Sequence, residues 1–179
     1  MQKPGASLKL TIRPESADEF AVIHHLLQTA FQTAYYAEGD EQDFVNRRRN
    51  AEEYIPELTL VLQNADSIIG HVMLTRTWID NVTHRHPVLL LAAVCIDSAY
   101  RNQGMGTLLV KEALQRAKHL GHAAVFVVGD PAFYARFDFR PAIEFGIGNA
   151  DQIEDQYVLA LELIPQALQA VAGIVRLPQ

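Results

Sequence analysis

One segment constrains this chain more than any other. Val88–Ile96 reads Val-Leu-Leu-Leu-Ala-Ala-Val-Cys-Ile, and through Asp97-Ser98-Ala99-Tyr100 it runs into Arg101-Asn102-Gln103-Gly104-Met105-Gly106 and Thr107. A short unbroken apolar run that stops at Asp-Ser reads as a strand buried on both faces. The chain must therefore build a sheet covered on both sides. Thr107–Leu120 returns apolar residues at helical spacing, with Leu108, Leu109, Ala113 and Ala117 on one side and Gly121 placed to cap the end.

The elements around this segment follow from periodicity. Leu8–Arg13 alternates as a strand with one buried face, and Pro14 ends it. Ser16 and Glu19 form a capping box ahead of Phe20, Ile23, Leu26, Leu27, Ala30 and Phe31. A second helix is expected from Glu41 to about Glu53. After Pro56, Leu58–Leu62 and Ile68–Arg76 read as strands joined by a hairpin turn at Asn64–Ser67. Asn81–Pro87 reads as a loop, Ala123–Val128 as an apolar strand, Pro131–Phe137 as a short helix, and Gln156–Leu163 as a last strand. Gln166–Val171 suggests a terminal helical turn. The order β-α-α-β-β-β-α-β-α-β predicts an α/β (α+β) fold, a mixed sheet flanked by helices on both faces. It fits a single domain over residues 1–179, with a core at about 8–163 and a short C-terminal extension, 164–179.

Bulk properties exclude several classes. At 179 residues and 49% apolar, the chain is long enough and greasy enough to bury a core. A net charge of −6 disfavours nucleic acid. The only dense basic run, Arg47-Arg48-Arg49, is followed by Glu52 and Glu53 and reads as a solvated helix face. Cys95 is the only cysteine, so no intrachain disulfide forms, which suits a reducing compartment. Met1–Leu10 lacks the apolar run of a leader, and no stretch suits a membrane span. A cytoplasmic protein is expected.

The turn between strand and helix carries the chemistry. The first N–H groups of a helix lack internal partners and, with the helix dipole, favour an anion. Gly104 and Gly106 keep side chains out of its path, and Arg101 adds positive charge. The chain has no Gly-x-x-x-x-Gly-Lys-Ser/Thr. A Gly-x-Gly-x-x-Gly reading fails because Leu109 stands at the third glycine.

Arg101-x-x-Gly104-x-Gly106 after an apolar strand resembles the acyl-CoA signature of the GNAT acetyltransferase superfamily. Phe133-Tyr134-Ala135-Arg136-Phe137-Asp138-Phe139 resembles that family's Tyr-x-x-x-Gly-Phe. Gly129-Asp130-Pro131-Ala132-Phe133-Tyr134 and Pro56-Glu57-Leu58 are similar to a bacterial subgroup of predicted N-acetyltransferases. The resemblance implies a central, mostly antiparallel mixed sheet and binding of acetyl-CoA. The pyrophosphate would lie on the backbone of Arg101, Asn102, Gln103, Gly104, Met105 and Gly106, with Thr107 at the helix start. The pantetheine arm would lie beside Val94, Cys95 and Ile96, in a gap opened against Ala123–Val128. Tyr134 would lie near the sulfur. Two positions depart from the family pattern. Asp138 stands where the family has glycine, which bears on the turn there, and Gly129-Asp130 occupies the place of an asparagine many members carry.

Acetyl transfer to an amine needs a proton for the departing thiolate, and the phenol of Tyr134 can supply it. A backbone N–H on the strand ending at Ile96 can serve the oxyanion. Val88–Ile96 holds no carboxylate to act as base, leaving Glu57 and His71 as candidates. His84-x-His86 sits in a polar loop without a further ligand at metal spacing, so no metal is expected. His119 and His122 flank a helix C-terminus, where positive charge is favoured. The expected function is transfer of an acetyl group from acetyl-CoA to a small-molecule or protein amine. The alternative is an acyl-CoA-binding sensor or interaction module without turnover. A homodimer is left open.

Overall fold

The computed structural model describes residues 8–32, 39–151 and 153–177. Met1–Ser7, part of the stretch read above for a leader, lies outside them. The fold is one mixed sheet with helices on both faces. The strands are β1 Leu10–Pro14, β2 Thr59–Asn64, β3 Ser67–Asp80, β4 Arg85–Ile96, β5 Ala124–Val128, β6 Arg140–Pro141, β7 Ile147–Asn149, β8 Val158–Glu162 and β9 Gly173–Val175. The helices are α1 Phe20–Phe31, α2 Glu41–Arg49, α3 Met105–His119 and α4 Pro131–Tyr134. The strand order is β1-β2-β3-β4-β5-β8-β6, with β9 joining β3 to β7. All neighbours are antiparallel except β4–β5 and β7–β9.

Local signals explain most boundaries. Pro14 closes β1 at the sheet edge, where a missing N–H is tolerated. The Glu19 carboxylate accepts from Ser16 N–H at 2.9 Å, as in a capping box, and starts a 3₁₀ turn that leads into α1. Ala65 takes φ 51° in the tight β2–β3 turn, where Asn64 pairs with Ser67.

Three boundaries differ from expectation. α2 stops at Arg49 instead of about Glu53. The Asn50 side chain donates to Asn46 O at 2.9 Å, competing with the helix, and the carbonyls of Glu52, Glu53 and Tyr54 accept from Arg76. The expected loop at Asn81–Pro87 shrinks, because β3 runs to Asp80 and β4 begins at Arg85. The Asn81 side chain holds the turn by accepting from the N–H groups of Thr83 and His84. The terminal helical turn is absent: Gln166 and Ala170 adopt φ 65° and 64°, which break a right-handed helix. The segment forms a series of tight turns, and β9 follows it. Gly173 sits there because an added Cβ would lie 2.4 Å from Asp80 O.

The core is layered by strand alternation. Leu60, Leu62, Val72, Leu74, Leu89 and Leu91 face α3, whose Leu109, Val110, Ala113 and Ala117 are buried against them. Val61, Met73, Ala93 and Cys95 face Ile23, Leu26 and Leu27 of α1. A third cluster joins Leu90 and Phe126 to Ile147, Leu168 and Val175, so the C-terminal segment covers one end of the sheet.

Candidate active site

The site begins where two parallel strands part. β4 and β5 pair only at Leu89–Val125 and Leu90–Phe126, yet β4 continues to Ile96. At the same place the β3–β4 register shifts between Met73 and Leu74, which pair with Ala93 and Leu91 and leave Ala92 as a bulge. A bulge bends and twists its strand, and here it accompanies the departure of β4 from β5. Beyond Leu90, the β5-facing edge of β4 is left unpaired by β5, including the main chain of Val94, Cys95 and Ile96.

The loop after β4 is built to stop the strand and aim a helix. Asp97 caps a 3₁₀ turn by accepting from Ala99 N at 2.8 Å, and Gln103 ties its side chain back to Ala99 O at 3.0 Å. Asn102 (φ 59°) and Gly104 (φ 81°) both take left-handed backbone. Gly104 is the residue at the helix start, so its glycine is a conformational requirement, and a Cβ there would meet open space. At Gly106 an added Cβ would come within 3.7 Å of Ile96 and 3.8 Å of Phe133. The unsatisfied N–H groups of the first turn of α3, around Met105, Gly106 and Thr107, point out of this loop.

Arg101 is held differently from the free cation suggested by its sequence position. Its Nε–H donates to Ile96 O at 3.2 Å and its Nη2–H to Ala30 O at 2.6 Å, lashing the end of α1 to the end of β4. It also lines a cavity of about 190 Å³ with Ala30, Phe31, Val94, Cys95 and Ile96. Cys95 is buried, and that burial pushes its thiol up to about 12, so it is a neutral packing residue at physiological pH.

Tyr134 stands on α4, which Asp130 caps by accepting from Ala132 N at 2.9 Å. Its ring is buried, edge-on to Phe133 at 4.9 Å and to Phe139 at 5.5 Å. Gly129 is required here, since an added Cβ would strike the Tyr134 ring at 2.5 Å. Burial, and then the negative charge of Asp130, raise the phenol well above its ordinary value, so it holds its proton throughout the neutral range. Asp138 keeps the turn expected of glycine: it adopts φ 67°, ψ 19°, a conformation aspartate tolerates better than most residues.

The two base candidates are not brought to this cleft as expected. Glu57 is exposed on the turn before β2. His71 is fully buried on β3, opposite Cys95, with Nε2 3.1 Å from the Glu15 carboxylate. Burial lowers its tendency to protonate, against the opposing pull of Glu15. Arg49 grips the same carboxylate through Nε and Nη2 at 2.8 and 2.7 Å, and Tyr54 donates to it at 3.0 Å. This network was not visible in the sequence, because residues 15, 49, 54 and 71 share no spacing. It also corrects the reading of Arg47-Arg48-Arg49 as a solvated face. Each arginine pairs with a carboxylate, and the side chains of Arg48 and Arg49 are only 13% and 5% exposed.

The other histidines play local parts. His84 contacts the Thr83 hydroxyl at the hairpin tip, and among the described residues no group of metal ligands forms. His122 is shifted toward its neutral form by burial, then by nearby Arg76, rather than stabilised as a cation. Among the described residues no helix is long and apolar enough to cross a membrane.

Comparison with known proteins places this arrangement. Over 85 residues the chain is 34% identical to the uncharacterized N-acetyltransferase YhbS of Escherichia coli K12; the match covers 48% of this chain and about half of that relative, 51%. It is 24% identical over 110 residues to the uncharacterized N-acetyltransferase YjhQ of the same organism, covering 62% and 61% of the two chains. The structure of E. coli YhbS in complex with CoA superposes with a TM-score of 0.82 at 25% identity, over 97% of this chain and 92% of that one. A GNAT family acetyltransferase from Brucella melitensis, in complex with acetyl-CoA, shares the fold with a TM-score of 0.76 at 22% identity, over 94% and 96%. Residues 20–139, which include the parted strand, the glycine loop, α3 and Tyr134, match the acetyltransferase (GNAT) family, and the chain belongs to that family.

Proposed function

We propose that this protein transfers an acetyl group from acetyl-CoA to an amine. The observation that carries the reading is the opening between β4 and β5 beside the amide-rich start of α3, with a protonated tyrosine on the neighbouring α4. The residues present fit the cofactor. Gly104 and Gly106 leave the helix start clear, and the β4 edge offers main-chain groups to an extended amide arm. Acetyl-CoA supplies an activated thioester. An amine nitrogen adds to its carbonyl carbon, a β4 backbone N–H steadies the oxyanion, and the C–S bond then breaks. Tyr134 would give its phenolic proton to the departing sulfur and recover one from solvent, and the amine would release its own proton to solvent.

A second reading, an acyl-CoA-binding module without turnover, draws support from one observation. Among the described residues, no carboxylate that could act as base lines the 190 Å³ cavity. Two measurements decide between the readings. Acetyl-CoA at a hundredfold excess over Kd should stabilise the native state by about 2.7 kcal/mol, through RT ln(1 + [L]/Kd), while NAD and ATP should do so much less. Thiol release over an amine panel should then show turnover. Binding without release on any acceptor would favour the module, and no melting shift would remove the cofactor assignment.

A further inference from the structure

The edge of β4 that β5 leaves unpaired has another neighbour. The cavity at Val94, Cys95 and Ile96 is closed by Ala30 and Phe31 from the last turn of α1, and among the described residues nothing from β5 lines it. The end of α1 therefore forms the second wall of the slot along this edge. The distance between the walls is set by whatever ties α1 to the strand.

Arg101 makes that tie. It donates to one main-chain carbonyl on each wall: Ile96 O on β4, through Nε at 3.2 Å, and Ala30 O on α1, 71 residues away in the chain, through Nη2 at 2.6 Å. The last carbonyls of a helix have no partner within it, and Ala30 O is one of them. The last turn of α1 carries no basic residue of its own. The guanidinium of a distant loop thus supplies the positive charge favoured at that end. Its planar fork fixes both the separation and the angle of the two carbonyls, which a single ammonium cannot do. A slot held at fixed width before a ligand enters needs less ordering when it binds.

We propose that Arg101 is a positioning residue that sets the width of the slot between α1 and β4, and that it acts on the pantetheine arm of acetyl-CoA rather than on the phosphates. The proposal rests on the acetyl-CoA reading given above. It reverses the role suggested by the place of Arg101 in the glycine loop, where its charge was expected to serve an anion.

The test is a set of calorimetric titrations of wild type, Arg101→Lys and Arg101→Met with three probes. Acetyl-CoA is the whole ligand, acetyl-pantetheine is the arm without phosphate, and adenosine 3′-phosphate 5′-diphosphate is the phosphates without the arm. The two fragments are measured by displacement of acetyl-CoA. Arg101→Met should raise the Kd for acetyl-CoA and for acetyl-pantetheine alike, about tenfold, and leave the Kd for the nucleotide within about twofold. Arg101→Lys, which keeps the charge but reaches only one carbonyl, should fall between Met and wild type. A charge that acts on phosphate gives the opposite pattern: a penalty on acetyl-CoA and the nucleotide, none on acetyl-pantetheine, and near wild-type behaviour for Lys. That pattern overturns the proposal, as does an equal penalty on all three probes or on none. Binding stoichiometry and melting temperature report the folded fraction, and a loss of folded protein lowers stoichiometry without moving Kd. If Arg101→Met does not fold, the same comparison is read from Arg101→Lys. Wild type that fails to bind acetyl-CoA overturns the cofactor reading itself, a result distinct from any difference among the variants.

Discussion

At Tyr134 the environment decides what a phenol can do. Its ring is enclosed by Phe133, Phe137 and Phe139, and the raised proton affinity keeps the phenol protonated while making it a weaker acid than a free phenol. Tyr134→Phe retains the ring and should leave acetyl-CoA affinity nearly unchanged. If the hydroxyl protonates the leaving sulfur, kcat should fall by about 10²–10⁴-fold where chemistry limits the rate. Paired measurements of kcat and Kd check this, and equal kcat values under chemistry-limited conditions would remove Tyr134 from the mechanism. Because the phenol's shift is upward, its ionisation should produce no loss of activity between pH 6 and pH 9.

At the scale of the element, the start of α3 depends on one backbone geometry. Gly104 sits at φ 81°, where any residue with a Cβ costs roughly 1–2 kcal/mol. A carboxylate there also repels a pyrophosphate. Gly104→Glu should therefore abolish measurable acetyl-CoA binding while lowering the melting temperature only modestly, because the new side chain points into open space. Calorimetric titration combined with thermal melting separates the two effects. Unchanged affinity would show that this loop is not the phosphate site. Asp138 illustrates the converse: a non-glycine residue occupies a left-handed position and the turn toward Phe139 survives.

Across the whole molecule, the Glu15 network joins the end of β1, the end of α2, the turn at Tyr54 and the middle of β3. Burial favours the neutral acid, but hydrogen bonds from Arg49 and His71 outweigh it and hold Glu15 at about 2. Its folded value lies below its ordinary one. The stability it contributes is therefore complete above about pH 4.5 and is lost as pH falls toward about 2. His71 acts with the same sign. Its folded affinity for protons is reduced, so the unfolded chain protonates first and stability declines as pH drops below about 6.5. Glu15→Gln leaves the buried Arg49 guanidinium without its counter-charge and should cost about 3–5 kcal/mol at pH 7 by urea unfolding. The variant should also lose less further stability than wild type between pH 4.5 and pH 2. A change below about 1 kcal/mol at pH 7 would mean that the network positions α2 without stabilising the fold.

What the sequence determined by itself was local. The apolar run of β4, the helical period of α1 and α3, the turn at Ala65-Asp66 and the Arg-x-x-Gly-x-Gly loop are each dictated by neighbours a few residues apart, through backbone sterics and alternation. From them came the fold class, the family and the loop proposed to hold the cofactor. Only the tertiary structure decided which charges are spent. Arg101 closes onto two carbonyls, Arg49 and His71 converge on Glu15, and Arg136 reaches the Phe133 carbonyl and the Thr107 hydroxyl. It also decided that residues 173–175 add a strand after the turns at 166–171, because β9 needs the distant edges of β3 and β7 as partners. Hydrogen bonds and ion pairs between segments far apart in the chain leave no periodic trace, so the use of these charged groups is set by packing and not by spacing.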